Sequence, residues 1–254
     1  MNIDLNCDAG ESYGIYTLGA DREIMPYVTS VNVACAYHAG DPRVMDATVA
    51  LAASQGVAVG AHPGYPDRVG FGRRAMALTP AEIETDVLYQ IGALAAFCRA
   101  HSVPLVHVKA HGALYNTAAV DRAVAAALAR GIARWDGGLV MVGLANSMAM
   151  AEAAAAAGLS YAREAFADRT YNPDGTLQSR HIPGSLIVHP AQAAAQAVAI
   201  ARGYVVAHDG TSVALAAETI CLHGDNPAAL ANARAVREAL SDAGVAVRRL
   251  ATPP

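Results

Sequence analysis

Five short stretches of this chain end an apolar run in residues that can bind a metal, move a proton or hold a charge. They are NIDLNCDAGE with Asp4, Asn6 and Asp8, ACAYHAGDP with His38, VGAHPGYPD with His62, HVKAHGALYN with Lys109 and His111, and ICLHGDNP with His223 and Asp225. An apolar strand that ends in a polar residue and a Gly-rich turn is how parallel α/β enzymes present reacting groups. Five such ends in one chain imply an active site rather than surface decoration.

The residue types suggest acid–base hydrolysis. Asp4, Asn6 and Asp8 alternate, so on a strand they share one face. Buried together, like charges raise the pKa of one carboxylate and make a general acid or base available near neutral pH. A strand-end aspartate that caps a neighbouring loop is the alternative. His38 and His62 each precede a Gly turn. With Asp8 they form a candidate divalent-metal set, one carboxylate and two imidazoles that leave positions open for water and substrate. No HxxxH or HExxH spacing fixes such a geometry, and a pocket-lining role without metal competes with it.

Lys109 and His111 point the same way if their strand persists. The ammonium then suits a developing oxyanion and the imidazole the proton; a lysine that snorkels to solvent is the alternative. Glu164, His223 and Asp225 end later strands and add an acid, a base and another carboxylate. Arg73 and Arg74 follow Gly70-Phe71-Gly72, where they can grip a substrate carboxylate or remain exposed loop residues. The candidate catalytic residues are therefore Asp8, His38, Lys109, His111 and His223. The candidate substrate-binding residues are Asp4, Asn6, His62, Arg73, Glu164 and Asp225. His107 is ambiguous, and His101, His189 and His208 carry no motif.

These groups must be positioned by a repeated strand–loop–helix pattern. Strands are expected over 2–7, 30–34, 58–61, 105–108, 139–142, 161–164 and 219–222, with a last run at 245–250. Helices are expected over 43–55, 81–101, 121–130, 147–157, 191–202 and 228–243. Thr79-Pro80-Ala81-Glu82 and Asp225-Asn226-Pro227 read as helix starts. Gly56, Gly158 and Gly244 fall just past helix ends, where a left-handed C-cap favours glycine. The alternation predicts parallel strands with crossover helices. Polar residues at nearly every strand end favour a closed barrel over an open sheet, since only a barrel converges so many ends on one spot. The expected architecture is a single TIM-like (β/α) barrel domain over residues 1–254, with seven strands. Residues 165–190, with the turn Asn172-Pro173-Asp174-Gly175, and residues 62–74 are expected to form long loops over the catalytic face.

Bulk properties narrow the function. The chain has 254 residues, 54% hydrophobic and 16% charged, with a net charge of −4. That balance suits buried strands and gives no electrostatic basis for binding nucleic acid or an anionic membrane. A strand beginning at residue 2 leaves no room for a signal peptide. The Ala-rich stretch 148–158 is interrupted by Glu152 and is about half the ~20 residues a membrane span needs. Four scattered cysteines without a CxxC pair suggest reduced thiols. A cytoplasmic protein is expected. There is no GxxxxGK[ST] loop, no GxGxxG after a strand and no GxSxG elbow, so a P-loop, a nicotinamide fold and serine hydrolysis all lack support.

At these motifs the chain resembles the LamB/YcsF family, which supplies the A subunit of the prokaryotic ATP-dependent 5-oxoprolinase. The matching stretches are DLNCDAGESYG (4–14), PYVTSVNVAC (26–35), HAGDP (38–42), GAHPGYPD (60–67), GFGRR (70–74), LYQIGAL (88–94), HGALYN (111–116), FADRTY (166–171), DGTL (174–177) and HGD (223–225). Ten motifs in order are specific where one alone is weak. Two departures are Ala36-Tyr37, where the family usually shows Gly-Phe, and Ala110, where it usually has Pro. The resemblance implies a seven-stranded barrel akin to the glycoside hydrolase/deacetylase superfamily. It also implies conversion of 5-oxoproline to glutamate driven by ATP, together with B and C subunits that bind the nucleotide or share in binding it. Asp8 or His38 would then activate water, Lys109 and His111 would hold the oxyanion, and a carboxylate or His223 would protonate the departing ring nitrogen. The rival readings are a stand-alone metal-dependent deacetylase or amidohydrolase and a non-catalytic subunit that only binds lactam.

Overall fold

The computed structural model describes residues 1–224 and 228–250. In chain order its elements are β1 (Asn2–Ala9), α1 (Asp21–Ile24) continued by a 3₁₀ turn (Met25–Tyr27), β2 (Ser30–Ala34), α2 (Pro42–Gln55), β3 (Ala58–His62), α3 (Pro80–Ala100), β4 (Leu105–Lys109) and α4 (Gly112–Ala118). There follow α5 (Arg122–Trp135), β5 (Val140–Leu144), α6 (Met148–Ala156), β6 (Ser160–Phe166), α7 (Pro190–Ala201), β7 (Tyr204–Val206), β8 (Ser212–Ala214), β9 (Thr219–Leu222), α8 (Ala229–Asp242) and β10 (Ala246–Val247).

Strands β1 to β6 pair in sequence, all parallel, and β6 pairs with β9. Strand β9 then returns to β1 through Asp4↔Thr219 and Cys7↔Leu222. Seven parallel strands thus close a TIM-like barrel, as the alternation of apolar runs predicts. The final apolar run contributes only β10, which adds to β1 through Asn2↔Ala246 outside the ring. The antiparallel pair β7–β8 is also outside it. Its three-residue strands are too short for a period of two to show in the sequence.

Local chemistry explains the helix ends. The Asp41 side chain accepts hydrogen bonds from the Arg43 and Val44 amides, Pro42 opens α2, and Gly56 closes it at φ 67°. Thr79 and Glu82 form a reciprocal capping box at the start of α3. Helix α4 is absent from the sequence expectation. It begins directly after His111, and seven residues are too few to display a helical period. Among the described residues, no helix is long and apolar enough to cross a membrane.

Alternation along the strands sorts polar from apolar residues. On β1, Ile3, Leu5, Cys7 and Ala9 join the apolar core with the helices, whereas Asp4, Asn6 and Asp8 turn into the barrel and bond to other inward residues. Register carries this layer around the ring, with Asp8 beside Asn32, Asn32 beside Gly60 and Gly60 beside His107. Position 60 has to be bare, because a Cβ there would stand 2.0 Å from His107 Nε2. The barrel interior is therefore largely polar, with a small apolar cluster of Val140, Val142 and Ala162 against which Leu250 packs.

Candidate active site

The C-terminal ends of the strands open into a cavity of about 340 Å³. Strand ends bring Asp8, His62, Lys109 and His223 to it, and His111 follows two residues after β4. The loop after β3 contributes Arg73, and the segment between β6 and α7 contributes Arg169 and the run Leu177–His181. That segment is the expected cover. It is tied down by the bridges Arg169↔Leu186 and Tyr171↔Leu177. The buried Tyr171 hydroxyl also accepts the Phe166 amide at 2.8 Å.

Lys109 is the hub. Its Nζ lies 2.9 Å from Asp8 Oδ1, 2.9 Å from Glu164 Oε1 and 3.0 Å from Cys221 Sγ. Burial opposes the ammonium charge, but Asp8 first, then Cys221 and Glu164, outweigh it and hold its pKa well above the ordinary lysine value. Asp8 shows the reverse balance. Burial would raise its pKa, yet His62 at 3.5 Å and Lys109 hold it well below the usual carboxylate range. Asn32 donates to the same Asp8 oxygen at 2.8 Å and accepts from His107 Nε2 at 2.7 Å. Burial pushes His107 down to about 3, with Lys109 adding to the effect, so it is a neutral donor in the wall. His107 thus braces Asn32 from within the barrel and does not line the cavity.

A second pair faces the cavity. His223 Nδ1 lies 2.8 Å from Asp168 Oδ1, while Asp168 Oδ2 accepts the His223 backbone amide at 3.0 Å. A carboxylate on Nδ1 fixes the tautomer that leaves Nε2 available for proton transfer. The ring stacks on Phe166 at 5.4 Å. Atoms of Asp8, Cys221 and His223 lie within 4.8 Å of one another, so the two pairs border the same volume.

Three expected substrate-binding residues do not line the cavity. Asp4 lies deeper in the barrel and accepts from Ser30 at 2.6 Å, Thr219 at 2.5 Å and Thr29 at 2.8 Å. Burial raises its pKa against those hydroxyl bonds. Asn6 donates to Glu164 and Thr219, and Glu164 accepts the Tyr115 hydroxyl at 2.9 Å. They form a layer beneath the cavity, because inward residues of one strand differ in depth and only the uppermost reach the open end.

His38 also does not line the cavity. It is 1% exposed and lies flat against His111, with ring centroids 3.7 Å apart. The structure places this candidate catalytic residue behind His111. For both rings burial is the main reason that the pKa falls well below the ordinary value. Among the described residues, potential metal-ligand atoms fall into two groups, Glu11–His38–His62–His111 and Asp8–Cys221–His223. The expected set of Asp8, His38 and His62 is thus divided between them.

The two loop arginines separate. Arg73 lines the cavity, its guanidinium 4.8 Å from the Phe71 ring. Arg74 instead holds Asp67, with Nε 3.0 Å from both carboxylate oxygens, and that bond is the main cause lowering Asp67 to about 2. Asp225 lies outside the described residues. Sequence reasoning did not single out Glu11, Asn32, Tyr115, Asp168, Arg169 or Cys221 as site residues. Asn32 had a signal, since it alternates with Ser30 as Asn6 does with Asp4. Asp168 and Arg169 sit inside the FADRTY motif.

The chain matches the model of the LamB/YcsF family over residues 3–253. It is 56% identical to the A subunit of 5-oxoprolinase from Symbiobacterium thermophilum over 96% of this chain and 94% of that one. To the protein of the same name from Chloroflexus aggregans it is 54% identical, with 98% of each covered. The crystal structure of a lactam utilization protein from Thermus thermophilus superposes with a TM-score of 0.93 at 52% identity, covering 98% of this chain and 100% of that one.

Proposed function

This chain belongs to the LamB/YcsF family, and from that premise we propose that it is the A subunit of an ATP-dependent 5-oxoprolinase, a hydrolase that opens the 5-oxo-L-proline lactam to L-glutamate. The relatives' shared name supplies the reaction. The observation that carries it onto this chain is the pairing within one cavity of Asp8–Lys109 with Asp168–His223, two acid–base sets beside basic groups suited to an anionic substrate.

A five-membered lactam resists water because its amide is resonance-stabilised. Partner B and C subunits would supply the phosphoryl transfer from ATP to the lactam oxygen, releasing ADP and a proton and leaving an electrophilic ring carbon. Water then adds to that carbon, one of its protons passing by way of Asp8 to the ring nitrogen and the other leaving to solvent as the new carbonyl forms. The carbon–nitrogen bond breaks as His223 delivers a proton to the ring nitrogen, with Asp168 steadying the imidazolium. A second water hydrolyses the resulting acyl phosphate to glutamate and inorganic phosphate. Lys109, already held by Asp8 and Glu164, supplies positive charge beside the developing oxyanion. Arg73 and Arg169 suit the substrate carboxylate or the phosphate. Burial, with Arg180 adding, lowers Arg169 to about 10, still protonated near neutral pH. The use of ATP and the thiol state of all four cysteines support a cytoplasmic setting.

The test is glutamate release from 5-oxoproline by this chain alone and with its B and C partners, each with and without ATP. Release only with partners and ATP supports the assignment. Release by the chain alone would make it an autonomous lactamase, and no release under any condition would remove the reading.

A further inference from the structure

The ring-opening scheme leaves one group of buried side chains unused. Glu11, His38, His62 and His111 each offer one ligand atom around a common point, all four within 4.8 Å of one another. Glu11, His62 and His111 also line the cavity, so the point is reachable from it.

The hydrogen bonds around this point fix the tautomers. His62 Nδ1 lies 2.7 Å from the Lys109 carbonyl, and His111 Nε2 lies 2.8 Å from the Phe71 carbonyl. Carbonyls only accept, so both outer nitrogens carry hydrogens, and in neutral rings both inner nitrogens are bare lone pairs. Yet His62 Nε2 and His111 Nδ1 lie 3.0 Å apart. Two lone pairs at that distance repel, so a positive species belongs between them, either a proton or a metal ion.

His38 favours the ion. Both of its ring nitrogens are buried with no hydrogen-bond partner, and Nε2 lies beside the same point, 3.4 Å from Glu11 Oε1. A proton shared by His62 and His111 would satisfy neither His38 nitrogen. His111 Nδ1 is likewise 3.4 Å from Glu11 Oε1. Donors 2.0–2.2 Å from a tetrahedral ion lie about 3.3–3.6 Å from one another, close to these separations. Imidazoles backed by carbonyls on the far nitrogen are the usual way proteins orient metal ligands. One adjustment is required. The His38 and His111 rings are parallel within 1°, so the ion cannot lie in both planes. The His38 ring, which no hydrogen bond tethers, must tilt to meet it.

We propose that Glu11, His38, His62 and His111 bind one divalent transition-metal ion of the zinc class through three imidazoles and a carboxylate. Asp8 turns Oδ1 to Lys109 and Asn32 and groups with Cys221 and His223 rather than with these four, so it is not a ligand of this site.

The test uses the full chain alone, stripped with a chelator and dialysed against Zn²⁺ or Co²⁺. Elemental analysis should find one ion per chain, and the cobalt form should show visible absorption of four-coordinate intensity. His38→Gln and Glu11→Gln should each weaken zinc affinity by about 100-fold or more, whereas Asp8→Asn should retain the ion. Circular dichroism and thermal melts establish that each variant is folded. If His38→Gln does not fold, Glu11→Gln and the wild-type cobalt spectrum decide. Less than a tenth of an ion per wild-type chain would overturn the proposal. So would binding that survives in both ligand variants, or binding lost in Asp8→Asn. Because no lactam, ATP or partner is present, the result is independent of the glutamate-release test.

Discussion

Asp168 holds His223 twice, through the ring Nδ1 at 2.8 Å and through the backbone amide at 3.0 Å, so one carboxylate sets both the position and the tautomer of the cavity-facing imidazole. Asp168→Asn keeps the shape and removes the charge. The expected loss in kcat of ATP-dependent glutamate release is about 100-fold, the lower end for general acid–base groups, with little change in Tm. A variant within a few fold of wild type would show that His223 does not carry the proton.

Lys109 neutralises two buried carboxylates, Asp8 and Glu164. Lys109→Met leaves them without their cation and should cost about 3–5 kcal/mol of stability, as expected for breaking a buried pair. Lys109→Arg should not restore activity, because a planar guanidinium cannot take the compact position of the ammonium. Chemical denaturation and turnover of the two variants check this. An activity for Lys109→Arg near wild type would remove the argument from shape.

Acid stability should report on His107. Its folded pKa is pushed down to about 3, against about 6.5 in the unfolded chain. The unfolded state therefore binds the extra proton first, and the contribution is constant above about pH 6.5 and declines as pH falls toward about 3. Near pH 5.5 the loss is about 1.4 kcal/mol from this one residue. Urea melts at pH 7.5 and 5.5 on wild type and His107→Gln should differ by that amount in their pH dependence. Identical dependences would contradict a neutral buried His107.

The two family departures make a separate prediction. Ala36 adopts φ 72°, a left-handed conformation that costs an L-residue about 1–2 kcal/mol. Ala36→Gly should therefore raise stability by about 0.5–1 kcal/mol once the added freedom of the unfolded glycine is subtracted. A fall in the denaturation midpoint would mean that the Ala36 methyl group packs better than its backbone strain implies. Nothing in the structure explains alanine at position 110.

The arginines offer a contrast within one loop. Arg73 lines the cavity, and Arg74 is engaged with Asp67. Arg73→Ala should raise KM for 5-oxoproline about 10-fold or more, while Arg74→Ala should leave it within about twofold, since charge-assisted bonds to an anionic ligand are worth ~1.5–3 kcal/mol. Equal effects would show that neither arginine binds substrate directly.

The sequence by itself determined the barrel and the strand ends that meet in it. Period-two alternation in Asp4-Asn6-Asp8 and the apolar runs before His62, Lys109 and His223 are local signals, and parallel pairing converts them into one converging set. What alternation cannot encode is depth. Asp4 and Asp8 share a face and a residue type, yet one is buried beneath hydroxyl groups and the other borders the cavity. Nor does local sequence reveal partners distant in the chain. Asp168 reaches His223 across 55 positions, and Lys109 reaches Cys221 across 112. The grouping of His38 and His62 with Glu11 and His111, and of Asp8 with Cys221 and His223, has the same origin. Which carboxylate faces which imidazole follows from ring closure and from the left-handed turn at Phe71, φ 54°, whose carbonyl holds His111. Such choices are tertiary because each depends on where two separate strand ends stop, not on the residues within either one.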